Sequence, residues 1–250
     1  MFGLLKNYRR NRYRKKGLSD DQLKHIYSVA PIAWQVPEHL RQKYHETILI
    51  FLHEKNFEGC GGLTLNDSIR YSVAAHASLL LLGDVSDFYP DLYSILIYPT
   101  AYIAPVHDMQ EDGVIVEGRE MRYGESWGRG SLVLAWDEAS ADAARPTSGR
   151  NLVIHEFSHE IDQEFALTEE PTLLEFESWG KTLSHAYDRH VYLTDHHRPT
   201  LLDAYGATNM AEFFAVTTEM FFGKPGKLIE VHPRLYEEIS KVYNLDPANW

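Results

Sequence analysis

A five-residue pattern, His155-Glu-Phe-Ser-His159, constrains the fold of this chain more than any other feature. It lies in an apolar stretch that begins Asn151-Leu-Val-Ile, and this pattern predicts a buried helix. On a helix, residues four apart share one face, so both imidazoles can reach one Zn²⁺ ion. Glu156, beside the first histidine, can then act as a general base on a metal-bound water. The alternative is a pair of core histidines whose polar atoms are satisfied by ordinary hydrogen bonds.

A catalytic zinc site needs a third protein ligand and one open position. The longer pattern in which a glycine and a third histidine follow is excluded, because the chain has Asp162 and Phe165 at those positions. Two acids, Glu212 and Glu219, lie in an otherwise apolar segment after Asn209, a predicted N-cap, and a carboxylate in such a helix is costly unless it is paired or bound to a metal. Seven residues apart, they share a face, so either can be the ligand while the other supports it. Glu212, nearer the helix start, is the predicted ligand.

The order of the predicted elements indicates an α+β fold with helices first, strands in the middle and helices last. Helices are predicted after Ser19, over Glu38 to Glu54, over Asp67 to Leu82 and from Asn151 onward; strands of one sheet over Tyr93 to Pro105, Gly113 to Glu117 and Ser131 to Trp136; and loops over 139–150 and 187–199. The last strand precedes the histidine helix. It is expected either at the sheet edge, where an extended peptide could pair with it, or inside the sheet with no ligand role.

Charge divides the chain unevenly. The 24 Lys and Arg stand against 36 Asp and Glu, and the net charge of −12 argues against a general nucleic-acid binder. Seven of the basic residues precede Gly17 with no acid among them, which leaves 17 basic against 36 acidic residues beyond. We therefore expect a basic, mobile segment over 1–17 and a single domain over 18–250. The alternative to a mobile segment is one that binds an anionic partner: anionic lipid, nucleic acid, an acidic protein or the acidic body of this protein itself.

The single cysteine, Cys60, excludes an intrachain disulfide and a zinc site built mainly from thiolates, and it fits a reducing cytoplasm. The longest strongly apolar stretch, Val73 to Leu82, is far shorter than the roughly 20 residues of a bilayer span, so no membrane span is expected. The pattern at the start of the chain also differs from a signal peptide, because the basic run follows the apolar residues. A cytoplasmic monomer is the default expectation.

Several motifs together resemble one known family over nearly the whole length of the chain. They are the basic start, Phe51-Leu-His-Glu-Lys-Asn-Phe-Glu-Gly, Ile97-Tyr-Pro, Gly124-Glu-Ser-Trp with Gly130-Ser-Leu-Val-Leu-Ala-Trp, His155 to Asp162, and Tyr205 to Phe222. The chain resembles the Mlc titration factor A family of zinc peptidases, and the last two motifs are the specific ones.

This resemblance implies a zincin-like metallopeptidase domain with N-terminal helices, a small central mixed sheet and a C-terminal helical part. It implies one Zn²⁺ per chain held by His155, His159 and Glu212, with Glu156 as the catalytic base. The family is similar to the lethal-factor-type gluzincins, which implies that Tyr205, seven residues before the ligand glutamate, stabilises an oxyanion.

Two classes of function follow from the resemblance. The first is hydrolysis of peptide or protein substrates by a zinc-activated water, with an aminopeptidase-like mode as one option. The second is regulatory binding of a transcriptional repressor of the Mlc type, with a latent or structural zinc site. The complete set of two histidines and two glutamates favours the enzyme, because a structural zinc normally closes all four coordination positions and has no use for Glu156.

Overall fold

The computed structural model describes residues 2–109, 115–122, 124–127, 130–167 and 173–250, with the backbone alone at 2–4, 102–109, 115–122, 124–127, 165–167 and 173–179. The α-helices are α1 (Phe2–Lys16), α2 (Asp20–Val29), α3 (Glu38–Glu54), α4 (Asp67–Leu80), α5 (Trp136–Ala143), α6 (Leu152–Leu167), α7 (Leu173–Asp195), α8 (Met210–Gly223), α9 (Pro225–Val231) and α10 (Pro233–Tyr243). The strands are β1 (Asn56–Gly59), β2 (Ser94–Tyr98), β3 (Tyr102–Met109), β4 (Ile115–Arg122), β5 (Gly124–Trp127) and β6 (Ser131–Ala135). Short 3₁₀ helices cover Pro31–Gln35, Ala204–Ala207 and Pro247–Asn249.

A small mixed sheet lies between the helices, in the order β1-β2-β6-β5. Strands β1, β2 and β6 are parallel, and β5 is antiparallel to β6. The predicted α+β fold with a mixed sheet is therefore confirmed.

The prediction of one sheet is wrong, because β3 and β4 form a separate antiparallel pair. The predicted strand Tyr93 to Pro105 is divided between β2 and β3 after Tyr98. Pro99 follows directly, and a proline has no amide proton to continue the ladder. Residues 113 and 114 of the predicted strand Gly113 to Glu117 lie outside the described residues.

Strand β6 is internal, so its predicted place at the sheet edge is wrong and the alternative, an inner strand, is confirmed. It pairs with β2 on one side, Ser131 opposite Ser94, and with β5 on the other, Ser131 opposite Trp127. Leu132, Val133 and Leu134 are all buried. A continuous apolar run of this kind is typical of a strand covered on both faces.

Helices replace parts of the two predicted loops. Helix α5 ends at Ala143, inside the predicted loop over 139–150, and alanine is the strongest helix former in this segment. Helix α7 continues to Asp195, inside the predicted loop over 187–199. Its Tyr187 and His190 contact the Phe213 ring of α8, with centroid distances of 5.7 and 5.5 Å. Tertiary packing thus stabilises a helix whose local sequence is polar.

The basic N-terminal segment forms helix α1, and it lies against the acidic body of the protein instead of extending as a solvated tail. The buried Arg10 guanidinium donates two hydrogen bonds of 2.7 Å to the Glu54 carboxylate, contacts Asp87, and lies 4.2 Å from the Phe88 ring centroid. Tyr13 stacks on His53 with a centroid distance of 4.0 Å. The division of the chain into 1–17 and 18–250 stays a prediction.

Substitution of Arg10 by Met is expected to lower the free energy of unfolding by about 3 kcal/mol, because it leaves the Glu54 carboxylate partly buried without its cation. Urea unfolding measures this change. The matched control is Arg12→Met, which removes the same charge from an exposed position of α1. Equal effects of the two substitutions would contradict a structural role for Arg10.

Helix α6 carries the histidine pair into the core. Its Phe157 is fully buried and contacts the rings of Phe51 and Tyr89 at centroid distances of 5.5 and 4.9 Å. Gly149, just before this helix, has φ +78°, and a Cβ there would lie 2.3 Å from the Met220 sulfur of α8. A glycine therefore lets the start of α6 approach α8 closely. In the part of the chain that the structure describes, no helix combines the length and apolarity needed to cross a bilayer.

Candidate metal centre

The start of α6 is fixed one turn before the first histidine. The Asn151 side-chain oxygen accepts a hydrogen bond from the Ile154 amide at 3.0 Å, and Asp142 accepts one from the Leu152 amide at 3.1 Å. These two acceptors satisfy amides that have no partner within the helix. The cap therefore sets the rotation of α6 and the direction in which His155 and His159 point.

Helix α8 brings the third group. Asn209 is its N-cap, as predicted, and its side-chain oxygen accepts a hydrogen bond of 2.9 Å from the Glu212 amide. Glu212 consequently lies in the first turn of α8, which packs against α6.

The side chains of His155, His159 and Glu212 converge on one point. His155 Nε2 lies 2.9 Å and His159 Nε2 lies 3.5 Å from the same Glu212 oxygen, Oε2. One ligand atom from each residue lies within 4.8 Å of the others. Two imidazole nitrogens and one carboxylate oxygen form the ligand set of catalytic zinc sites in which the fourth position is open. The residues present therefore fit a zinc ion.

Glu219 lies behind His155, on the side away from Glu212. Its Oε1 is 2.8 Å from His155 Nδ1, and its Oε2 accepts a hydrogen bond of 2.5 Å from the Asn151 amide. A carboxylate that accepts from Nδ1–H leaves the lone pair of a neutral imidazole on Nε2, the atom that faces Glu212. Of the two acids left open by the sequence, Glu212 faces both histidines, and Glu219 supports one of them.

The cluster stabilises positive charge. Burial lowers the pKa of the His155 imidazole, but its hydrogen bonds to Glu212 and Glu219 outweigh burial and raise the pKa to about 10. Burial raises the pKa of the Glu212 carboxyl, but its hydrogen bonds to His155 and His159 outweigh burial and bring the pKa down to about 2. A site whose carboxylates hold protons on imidazole in this way also attracts a divalent cation.

Glu156 is buried beside this cluster, with 5% of its surface exposed. Burial raises the pKa of its carboxyl to about 7. Within the described residues, no hydrogen bond or ion pair engages this carboxylate. Glu156 is therefore a buried acid that the fold leaves available to a bound molecule.

Tyr205 lies at the open side of the cluster, on the 3₁₀ turn Ala204–Ala207. Its side chain is 56% exposed, and its ring centroid is 6.0 Å from that of His155. Asp203 caps the turn by accepting a hydrogen bond of 2.9 Å from the Tyr205 amide.

Two further residues hold this turn in place. His190 of α7 is buried, with Nδ1 at 3.1 Å from Thr200 Oγ1 and Nε2 at 3.0 Å from the Asp203 carbonyl oxygen. A Cβ on Gly206 would lie 2.5 Å from the Val216 side chain of α8. Sequence reasoning did not single out His190, because it lies in a polar interval with other histidines; its spacing of three residues from Tyr187 on one helix face is the signal that marks it.

Asp162 lies three residues after His159 on α6, a spacing at which a carboxylate can orient an imidazole. Burial raises the pKa of its carboxyl, and the nearby His159 opposes this shift. Among the residues described, no hydrogen bond or ion pair joins Asp162 to His159, so the orienting contact is not present.

Known proteins resemble this chain over most of its length. A family described as glucose-regulated metallo-peptidase M90 matches residues 5–244. An uncharacterized protein of Synechocystis, slr2042, is 37% identical over 87% of this chain and 81% of its own length. Mlc titration factor A of Yersinia pestis and that of Yersinia pseudotuberculosis are each 30% identical over 78% of this chain and 74% of their own length. The resemblance to the Mlc titration factor A family is thus confirmed, and the chain belongs to the glucose-regulated metallo-peptidase M90 family.

Proposed function

We propose that this protein is a zinc-dependent peptidase that hydrolyses peptide bonds in the cytoplasm. The observation that carries the proposal is the convergence of His155, His159 and Glu212 beside the unengaged carboxylate of Glu156. An ion held by three protein ligands keeps a position open for reaction, whereas a structural zinc normally has four. The single cysteine supports a reducing compartment.

The chain's own residues have distinct roles in this reaction. A Zn²⁺ ion held by His155, His159 and Glu212 would supply Lewis-acid polarisation of the scissile carbonyl and a lowered water pKa. Glu156 would take a proton from the attacking water and pass it to the leaving amine. The Tyr205 hydroxyl would donate a hydrogen bond to the developing oxyanion. Glu219 would keep His155 in the tautomer that presents Nε2.

A substrate strand has a place to bind along β5. Because β6 is internal, β5 (Gly124–Trp127) is the outermost strand on that side among the residues that the structure describes, and it contacts α6. The backbone groups on the outer side of an edge strand can pair with an extended peptide. We therefore assign to β5 the substrate-pairing role that the sequence suggested for Ser131 to Trp136.

The direct test is mass-spectrometric mapping of cleavage in a diverse peptide mixture with zinc-loaded protein. The matched control is the same protein after removal of zinc by a chelator and again after zinc is restored. Zinc-dependent cleavage is expected, and the positions of the cuts distinguish removal of N-terminal residues from internal cleavage. Absence of cleavage by protein with a full zinc content would contradict the proposal.

Gly206→Ala is expected to lower kcat/KM for a peptide substrate by roughly a hundredfold, because the added Cβ displaces the turn that carries Tyr205 and a shift of about 1 Å has effects of that size. The matched control is Gly226→Ala, where an added Cβ meets nothing within 4 Å. Kinetics at equal zinc content measure the effect. Equal kcat/KM values for the two variants would contradict a role for Tyr205 in the reaction.

A second candidate function is binding of an Mlc-like transcriptional repressor. The name of the Yersinia relatives, Mlc titration factor A, favours it. The test is to add wild-type or Glu156→Gln protein to a purified repressor of this type and to measure the mass of any complex by light scattering. A complex that forms equally with both proteins would separate binding from hydrolysis, and no complex with either would reject the repressor as a partner.

A further inference from the structure

The two faces of helix α1 differ in their partners. The inner face carries Lys6, Arg10 and Tyr13, which contact Asp87, Glu54 and His53 of the body. The outer face, with residues spaced three and four apart, carries exposed side chains: Leu5, Tyr8, Arg9, Arg12, Lys15 and Lys16. The ion pairs of Arg10 fix the helix to the domain, so this outer face is a defined surface.

The cations of the outer face are not neutralised by the protein. Arg9, Arg12, Lys15 and Lys16 are all exposed, and none forms an ion pair with a side chain that the structure describes. The chain beyond Gly17 has 17 basic against 36 acidic residues. A concentrated positive face on an otherwise acidic protein has charge complementarity to a negatively charged surface that meets this face alone.

Large apolar side chains lie among these cations. Leu5 is 61% exposed and Tyr8 is 71% exposed. A cluster of Lys and Arg is attracted to the headgroups of an anionic bilayer, and Leu5 and Tyr8 beside the cations can add apolar contacts at the same surface.

We propose that the outer face of α1 binds the surface of a membrane that contains anionic lipids, with the helix parallel to the bilayer plane. Leu5 and Tyr8 enter the headgroup region, and Arg9, Arg12, Lys15 and Lys16 contact lipid phosphates and carboxylates. A nucleic acid fits less well, because its phosphate backbone offers charge but no apolar phase for the exposed Leu5 and Tyr8. An acidic protein does not account for the exposed Leu5 and Tyr8 as directly as a bilayer does.

The strength of this binding follows from the charges. Each Lys or Arg near an anionic surface raises the partition coefficient by roughly fivefold, so loss of three cations lowers it by roughly a hundredfold. Because the attraction is electrostatic, it weakens when salt shortens the screening length. Binding is therefore reversible and sensitive to ionic strength.

The test is sedimentation of the full chain with large vesicles of phosphatidylcholine, alone or with roughly a third phosphatidylserine. Binding is expected only to the anionic vesicles and is expected to decrease with salt. The variant Arg9→Glu/Arg12→Glu/Lys16→Glu should lose binding by at least roughly a hundredfold. The control Arg198→Glu/Lys227→Glu/Arg234→Glu makes the same changes of residue type and net charge at exposed positions outside α1, and it should bind as wild type does.

A second variant tests the apolar contribution. Leu5→Ser/Tyr8→Ser keeps every cation, and it should reduce binding by roughly tenfold without abolishing its salt dependence. Circular dichroism of each variant establishes that the helices are intact.

Three outcomes would overturn the proposal. The first is that wild-type protein does not bind anionic vesicles. The second is that the two charge-reversed variants lose binding equally. The third is that a polyglutamate resin retains wild-type protein but not the α1 variant, while wild type does not bind vesicles. The last result would assign the surface to an acidic protein. None of these outcomes depends on peptidase activity, so the membrane proposal and the proposed function can fail separately.

Discussion

Replacement of Glu156 by Gln is expected to lower kcat for peptide hydrolysis by roughly a thousandfold, within the range by which a positioned general base accelerates such reactions. Gln has nearly the same shape as Glu but does not accept a proton at neutral pH. Because no described residue bonds to the Glu156 carboxylate, the substitution breaks no contact of the fold. Zinc content and the unfolding midpoint are therefore expected to stay at wild-type values or rise slightly, as burial of a charge is relieved.

The matched control is Glu160→Gln, which makes the same chemical change one turn later on α6 and outside the ligand cluster. Peptide kinetics at equal zinc content compare the two variants with wild type. If Glu156→Gln still cleaves peptides at the wild-type rate, Glu156 is not the general base. If both variants lose the same fraction of activity, the cause is a general effect of charge on α6. A loss confined to Glu156→Gln is the expected result.

The local signals of the sequence predicted the parts of the site that depend on neighbours along the chain. The spacing of His155 and His159 places them on one helix face, and Asn209 is marked as a cap by its place before an apolar run. Helix α3 was predicted with the bounds that the structure has, Glu38–Glu54, because apolar periodicity continues through it and a glycine-rich stretch follows.

Features that depend on distant residues could not be predicted in this way. The docking of α1 rests on Arg10 with Glu54 and Asp87, residues that are 44 and 77 positions away. Strand β1 is four residues long and includes Asn56, Glu58 and Gly59, all poor strand formers, and it is held by its pairing with β2. The inner position of β6 likewise depends on β5, a strand too short to be recognised from its own composition.

The choice between Glu212 and Glu219 is of the same kind. Both acids lie on one face of α8, and periodicity alone does not say which of them faces the histidines. The packing of α8 on α6 places Glu212 Oε2 near both imidazoles and Glu219 behind one of them. Two carboxylates with the same sequence signal therefore have different expected roles.

These roles predict different losses of metal. Glu212→Ala removes a direct ligand and is expected to abolish zinc retention during dialysis. Glu219→Ala removes the acceptor that fixes the His155 tautomer, and loss of such a supporting contact lowers metal affinity by roughly 10 to 100-fold. Glu219→Gln is expected to lie between Glu219→Ala and wild type, because its amide oxygen still accepts from His155 Nδ1, but its amino group faces the Asn151 amide, another donor.

Two measurements rank these variants without reference to catalysis. Competition with a chelator gives the zinc affinity. The rise in unfolding temperature on addition of zinc gives the same order, because a ligand that binds only the folded state stabilises it in proportion to the logarithm of one plus the ratio of its free concentration to its dissociation constant. Wild type should show the largest rise, Glu219→Gln and Glu219→Ala smaller ones, and Glu212→Ala none. A larger loss from Glu219→Ala than from Glu212→Ala would contradict Glu212 as the third ligand and would assign that role to Glu219, which lies at His155 Nδ1.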